Sequence, residues 1–271
     1  MSLPSTAPPV ALTIAGTDSG GGAGIAADLR AFSAYGVFGA LVVSAVTAQN
    51  TLAVRGIQEM SPSFVDAQLA AVLDDLPVAA VKTGMLASAE VVRVVARRAA
   101  RGELPNLVVD PVMVAASGAS LVEGDARAAY LELLAQATVV TPNLDEAEVL
   151  VGHDVRDEIE MERAAKELRA LGARAVVIKG GHRKDSDAAD AVALDDDEVA
   201  WLRAPWVDTA NVHGTGCTLS AAIAANLALG RGVLEAISEA KSFVREGLVA
   251  SSHRSLGKGP GPLFALPRTR H

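Results

Sequence analysis

The sequence predicts an α/β protein built on a mainly parallel sheet. Two observations carry that reading. Short apolar runs, each closed by Gly, Pro or Asn, alternate with stretches of helical spacing along most of the chain. Half of the 271 residues are hydrophobic but only 3% are aromatic, so the core is built from Ala, Val, Leu and Ile. Strand–helix alternation of this kind implies βαβ units wound around one sheet. No internal repeat or low-complexity linker divides the chain. The expected organisation is a loose tail over residues 1–9 and one domain over residues 10–271.

The elements follow in order. VALTIAG (10–16) is a buried strand ended by Gly, and a glycine-rich turn follows it. IAADLRAFSAYG (25–36) has helical spacing, with Ile25, Leu29 and Phe32 on one face and Gly36 as its stop. ALVVSAVTAQN (40–50) is a strand and FVDAQLAAVLDDL (64–76) a helix. VAAVKTGML (78–86) is a strand running into a loop, and ASAEVVRVVARRAARG (87–102) is a helix capped by Ser88. LVVDPVM (107–113) and ATVVTPN (137–143) are strands ending at Asp-Pro and Pro-Asn. LDEAEVLVG (144–152) and IEMERAAKELRALG (159–172) are helices, RAVVIKGG (174–181) is a strand, and residues 190–202 form a hairpin with an acidic turn. Helices over 215–232 and 234–252 precede an irregular tail.

Composition narrows the function. A net charge of −8 argues against a nonspecific nucleic-acid binder, which carries a basic face. A single cysteine forms no internal disulfide and fits a reducing compartment. The first ten residues, MSLPSTAPPV, lack the basic and apolar regions of a signal peptide. No apolar run reaches the roughly 18 residues of a membrane span. The expectation is a soluble, cytoplasmic protein.

In doubly wound sheets ligands bind beyond the carboxyl ends of the strands, so the residues there carry the chemistry. GTDSGGGAGI (16–25) joins a strand to a helix as a phosphate loop does, without the Gly-Lys-Ser/Thr of a Walker motif. Gly22, Gly24 and Ala27 match a dinucleotide fingerprint, but the next strand ends at Gln49 and Asn50 and offers no acid to a ribose. A tight connection that only glycine tolerates is the bland reading of the same loop.

HGTGC (213–217) opens a helix, whose N-terminus carries partial positive charge and free N–H groups. Gly214, Thr215 and Gly216 therefore make a candidate anion hole for a transferring phosphoryl group. The same field is expected to lower the pKa of Cys217 and favour its thiolate. A small buried cysteine in an Ala-rich helix is the equally weighted alternative. Asp110 and Glu146, at the ends of successive strands, suit a phosphate-bound Mg²⁺, which needs one or two carboxylates. Taken singly they read as a turn residue and a solvated helix face. Lys179, closing an apolar strand before two glycines, reaches a phosphate as a point charge or snorkels to solvent. His182 and His213 read as hydrogen-bonding loop residues.

The segments ALTIAGTDSGGGAGIAADLRAF, VTAQNT, VKTGML, VVDPVM, TPNLDEAE, VIKGGH and HGTGCTLSAAIAA, in this order, resemble the ribokinase-like superfamily. Within it the chain resembles the bacterial hydroxymethylpyrimidine/phosphomethylpyrimidine kinases of thiamine biosynthesis. The resemblance implies a three-layer αβα sandwich, ATP and Mg²⁺ as cofactors, a small-molecule substrate phosphorylated twice, and a homodimer. It assigns Gln49 to the aminopyrimidine edge, and Gly16, Ala23 and Met85 to the pyrimidine pocket with Asp28 nearby. It assigns Asp110 and Glu146 to Mg²⁺, Asn143 and Lys179 to the ATP phosphates, and Gly214 and Gly216 to the anion hole. Cys217 takes the position where many superfamily members have an aspartate base.

The nearest alternative is a pyridoxal or pyridoxine kinase of the same fold, from which the Gln49 of AQN separates this chain. A nucleotide-responsive regulatory protein without turnover is opposed by the intact Asp110, Glu146, Lys179 and Cys217. Residues 115–121 and 183–189 are candidates for a loop that closes over the site.

Overall fold

Every residue of β1 (Val10–Gly16) is buried, as befits a strand inside the sheet rather than at its edge. In the computed structural model, which describes residues 7–113, 125–181, 187–194 and 198–264, nine strands form one sheet. Beside β1 lie β2 (Phe38–Gln49) and β4 (Val78–Thr83), both parallel to it. β5 (Leu107–Val109), β6 (Val139–Val140) and β7 (Ala175–Lys179) continue in parallel outward from β4. Antiparallel strands finish both edges: β3 (Val54–Glu59) beyond β2, and β8 (Ala188–Ala193) then β9 (Val199–Ala204) beyond β7.

Strand alternation splits the apolar residues between two helical layers. Leu12, Ile14, Val81, Leu107, Val109, Val140, Val176 and Ile178 face α2 (Pro62–Leu73), α3 (Ala89–Ala100), α4 (Ala126–Leu134), α5 (Leu144–Val151) and α6 (Glu158–Ala170). Ala11, Ala80, Val108, Val139, Ala175 and Val177 face α1 (Gly24–Ala34), α7 (Thr215–Ala228) and α8 (Val233–Ser251). The result is the expected three-layer αβα sandwich. α7 is almost wholly enclosed, and Ala221, Ala222, Ala224 and Ala225 are all 0% exposed. Their small side chains let its backbone approach the sheet, and a larger residue there would cost about 1–3 kcal/mol of overpacking.

The chain leaves β1 through α1 to reach β2 on one side, then returns through α2 to β4 on the other. This reversal opens a crevice at the carboxyl ends of the central strands. Serine caps start α2 and α3, where Ser61 accepts from the Phe64 N–H and Ser88 from the Val91 N–H. Capping boxes of Asn143 with Glu146 and Asp157 with Glu160 start α5 and α6.

Several boundaries differ from the sequence expectation. β3 has no counterpart in the sequence pattern, because its residues are largely exposed and show no apolar alternation. α4 is a further element beyond the sequence expectation, anchored in the core by Tyr130, Leu133 and Leu134. α2 begins at Pro62, two residues earlier than expected, because Ser61 caps it and Pro occupies its first turn. β5 and β6 are shorter than their apolar runs. The candidate closing loop 115–121 and His182 lie outside the described residues, as does most of 183–189. Ala188 and Ala189 of that second loop belong to β8.

Candidate active site

The carboxyl ends of β5, β6 and β7 bring three charged side chains together under the start of α7. Lys179, the last residue of β7, places Nζ 2.8 Å from Asp110 Oδ1 and 3.8 Å from Glu146 Oε2. Asp110 also accepts from Thr141 Oγ1 and from Ser220 Oγ, each at 3.2 Å. Burial works against ionisation of Asp110, but Lys179 and then Lys82 outweigh it and hold the carboxyl below its usual range. For Glu146 burial wins: with Asp110 adding repulsion against the pull of Lys179, its pKa is pushed up to about 7. Asn143 sits beside this cluster in a bridge with Lys179, and its amide oxygen accepts from the Glu146 N–H at 2.8 Å.

Gly214 adopts φ +81° and caps α7 by accepting from the Thr218 N–H at 2.9 Å. The Thr215 hydroxyl and N–H both turn back to the Val212 carbonyl, at 2.6 and 3.2 Å. Helix geometry directs the remaining first-turn N–H groups out of the helix end. A Cβ added to Gly216 would stand 3.3 Å from Lys179 Nζ and 3.8 Å from Asp110 Oδ2, so this end of α7 overlooks the charged cluster. The structure thus brings Asp110, Asn143, Glu146, Lys179, Gly214, Thr215, Gly216 and Cys217 into one neighbourhood.

The glycine-rich loop faces the same turn from the side of β1. Ala23 precedes α1, and its Cα would lie 3.3 Å from a Cβ on Gly214. A Cβ on Gly16 would meet the Met85 methyl at 2.3 Å, so these two residues share one wall. Gln49, half-buried at the end of β2, is joined to the loop by Ser19, whose hydroxyl donates to the Gln49 carbonyl and accepts from its N–H. The Gln49 side-chain oxygen accepts from Thr47 Oγ1 at 3.4 Å.

Two expectations change. Asp28 does not line the cleft. It is 0% exposed, and its oxygens accept from Thr13 Oγ1 at 2.6 Å and Lys82 Nζ at 2.9 Å. Cys217 is not acidified. The residue is half-buried, and burial of the thiol raises its pKa to about 11. The opposing pull of Lys82 and of the Gly24 N–H is smaller. The thiol is therefore protonated at neutral pH.

The strand-end rule reaches Asp18 and Lys82 as positions within Gly16–Gly24 and Lys82–Met85 but gives neither a partner, and it does not reach Ser220. Asp18 had a local signal, an Asp ahead of a Gly run, which favours a side-chain-to-backbone turn. The partners of Lys82 and Ser220 have no local signal, because they are 54 and 110 residues away in sequence.

A helix that starts at a glycine turn, a buried carboxylate pair with a lysine, and a glycine-lined crevice at a sheet reversal fit a small-molecule kinase of the ribokinase-like class. The pattern of the family described as phosphomethylpyrimidine kinase matches residues 18–264. The hydroxymethylpyrimidine/phosphomethylpyrimidine kinase of Rhizobium meliloti is 49% identical over 262 residues, which cover 96% of this chain and 97% of that one. A thiamine biosynthesis bifunctional protein of Geobacter sulfurreducens is 45% identical over 93% of this chain and 51% of its own length. Among solved structures, Staphylococcus aureus pyridoxal kinase in complex with AMP-PCP and pyridoxal superposes with a TM-score of 0.85 at 31% identity, covering 96% of this chain and 94% of that one. The chain belongs to the phosphomethylpyrimidine kinase family.

Proposed function

We propose that this chain transfers the γ-phosphoryl group of ATP to the hydroxymethyl oxygen of hydroxymethylpyrimidine, and a second one to the resulting monophosphate, in thiamine biosynthesis. One observation supports this most directly: Lys179 meets Asp110 and Glu146 below the α7 turn, and the glycine-rich loop after β1 packs against that same turn through Gly22 and Gly214. Gln49 offers an amide donor and acceptor to an aminopyrimidine edge. Gly214 and Gly216 present the helix end to the phosphoryl oxygens, and Lys179 supplies a point charge with Asn143 beside it. The acceptor oxygen forms its bond to the γ-phosphorus while the bond to the bridging oxygen breaks and ADP leaves.

In a loose transition state the acceptor hydroxyl needs positioning more than a strong base. A protonated Cys217 thiol fits that role: it orients the hydroxyl, whose proton passes to an oxygen of the transferred phosphoryl group once bond formation is under way. Among the described residues no group of three or more His, Cys, Asp or Glu converges as a metal cage. A nucleotide-bound Mg²⁺ needs only one or two carboxylates besides phosphates and water. Asp110 and Glu146 fit it, because two buried carboxylates that repel each other suit a hard dication. When bound, Mg²⁺ neutralises phosphate charge.

No helix among the described residues is long and apolar enough to cross a membrane. A cytoplasmic enzyme acting on small molecules, with no nucleic-acid or membrane partner, is the reading that charge and cysteine usage favour. A homodimer is favoured by apolar side chains exposed near one sheet edge, Phe38, Leu41 and Val46 on β2 and Ile57 on β3. Sedimentation equilibrium tests it, and a monomer at micromolar concentration overturns it.

The function is tested by ADP release with Mg-ATP and hydroxymethylpyrimidine, its monophosphate or pyridoxine under the same conditions. Turnover on both pyrimidines with little on pyridoxine is expected. Turnover on pyridoxine alone would move the chain to a pyridoxine kinase, and no turnover on any of the three would refute the reading.

A further inference from the structure

Two glycine loops frame the cleft, and they are 195 residues apart in sequence yet locked to each other by one side-chain pair. His213 Nε2 lies 2.8 Å from Asp18 Oδ2. The same carboxylate accepts from the backbone N–H groups of Gly20 at 2.8 Å, Gly22 at 3.0 Å and Ala23 at 2.9 Å. These donors and His213 hold the Asp18 carboxyl below its usual range although burial opposes them. An ionised carboxylate only accepts, so His213 carries its hydrogen on Nε2 and donates.

Asp18 thus shapes the loop on the acceptor side, and His213 is the residue directly before the phosphoryl-binding turn. The packing between the loops is backbone-close. A Cβ on Gly22 would stand 2.4 Å from the His213 ring, and one on Gly214 would stand 2.0 Å from the Gly22 carbonyl oxygen. On its far side His213 is held by the C-terminal segment, donating its N–H to the Gly261 carbonyl and accepting from the Leu263 N–H. Such a residue has no freedom to drift, and it transmits its position to Gly214.

We infer that Asp18 and His213 are a positioning pair, which sets the distance between the acceptor pocket and the anion hole and so the alignment of the attacking hydroxyl with the phosphoryl group. Neither residue touches the reacting atoms. The pair acts through the two backbone loops that do. Misplacement by about 1 Å costs on the order of 10²-fold in rate, while each substrate still binds its own half of the cleft. Loosening the pair therefore lowers kcat and leaves both KM values near their original size. It also raises the share of ATP hydrolysed without phosphorylation of the pyrimidine, because water replaces a misaligned hydroxyl.

The test uses geometry of substitution. A Gln side chain carries its amide nitrogen where His carries Nε2, whereas Asn carries its nitrogen where His carries Nδ1. His213→Gln, His213→Asn and Asp18→Asn are assayed for ADP and for phosphorylated pyrimidine, beside thermal melts. The expected result is His213→Gln within about threefold of the parent kcat. His213→Asn and Asp18→Asn fall about 10–100-fold with KM values within about threefold and with ADP in excess of product. Equal activity of the Gln and Asn variants would overturn the inference, as would losses confined to melting temperature. If His213→Asn does not fold, the Gln variant and Asp18→Asn decide: a full kcat in Asp18→Asn overturns the pair. The inference rests on the transfer reaction proposed above, and turnover of the unmodified chain in the same assay separates failure of that reaction from failure of the pair.

Discussion

Gly214 and Gly230 share φ +81°, at opposite ends of α7, and differ in what surrounds them. Replacing each by Ala separates backbone strain from loop displacement. In the left-handed region a Cβ costs about 1–2 kcal/mol. At Gly230 nothing lies within 4 Å of the new Cβ, so Gly230→Ala carries that strain alone. At about 2–4 °C per kcal/mol for a chain of this size, the melting temperature drops by about 2–8 °C and kcat stays unchanged. At Gly214 the Cβ would stand 2.0 Å from the Gly22 carbonyl oxygen, and real Cβ atoms do not approach closer than 3.0 Å. The two loops must therefore part by about 1 Å, and no flexible side-chain end is there to yield. A shift of that size at a reacting geometry costs about 10²-fold in rate. The assay is ADP release with Mg-ATP and hydroxymethylpyrimidine, measured beside a thermal melt of each variant. If Gly214→Ala keeps kcat within threefold of Gly230→Ala, the spacing of the two loops does not govern transfer and the reasoning fails.

Asp110→Asn removes the charge that Lys179 and Ser220 hold in place, and kcat is expected to fall about 10²–10³-fold; a loss under tenfold in the same assay would remove Asp110 from the phosphoryl site. Cys217→Ala should lose less than about tenfold, below the 10²–10⁴ of a general base, and a larger loss would restore the cysteine as the base. Its thiol, raised to about 11, should also alkylate with iodoacetamide at a rate still climbing at pH 10, where a plateau near pH 8 would contradict the raised value. Glu146 is raised from 4.5 to about 7 in the folded chain. The folded state binds its proton more tightly, so this contribution to stability is full below about pH 4.5 and is lost as pH rises through 7. At 1.4 kcal/mol per pH unit the loss is about 3 kcal/mol, and urea unfolding at pH 5 and 8 should show it in the parent and not in Glu146→Gln. Parallel pH dependence in the two would refute the assignment.

Much of the fold was legible because the central strands are buried on both faces and read as unbroken apolar runs, as VALTIAG does. Helix starts were legible where a cap stands in the sequence, as Ser88 does before α3. β3 was not, since an edge strand exposed on most residues has no apolar signature. The site followed the same division. Asp110, Asn143, Glu146 and Lys179 end strands or begin the helix just after one, and the rule for sheet carboxyl ends reaches them without coordinates. Asp28 misled, because the resemblance sets it near the pyrimidine pocket, whereas its side chain turns into the core to meet Lys82.

The order of residues along this chain was enough to determine the alternation of strands and helices, the glycine turns and the chemical types gathered at the strand ends. Those depend on local pattern and on backbone conformations that few residues adopt. Tertiary structure alone decided the protonation of Cys217 and Glu146, since that depends on how much protein surrounds a group and which charges lie within a few ångströms. It alone decided that Asp18 meets His213 and that Asp28 meets Lys82. Pairs so far apart in sequence leave no periodic trace, and only the winding of the sheet brings them together.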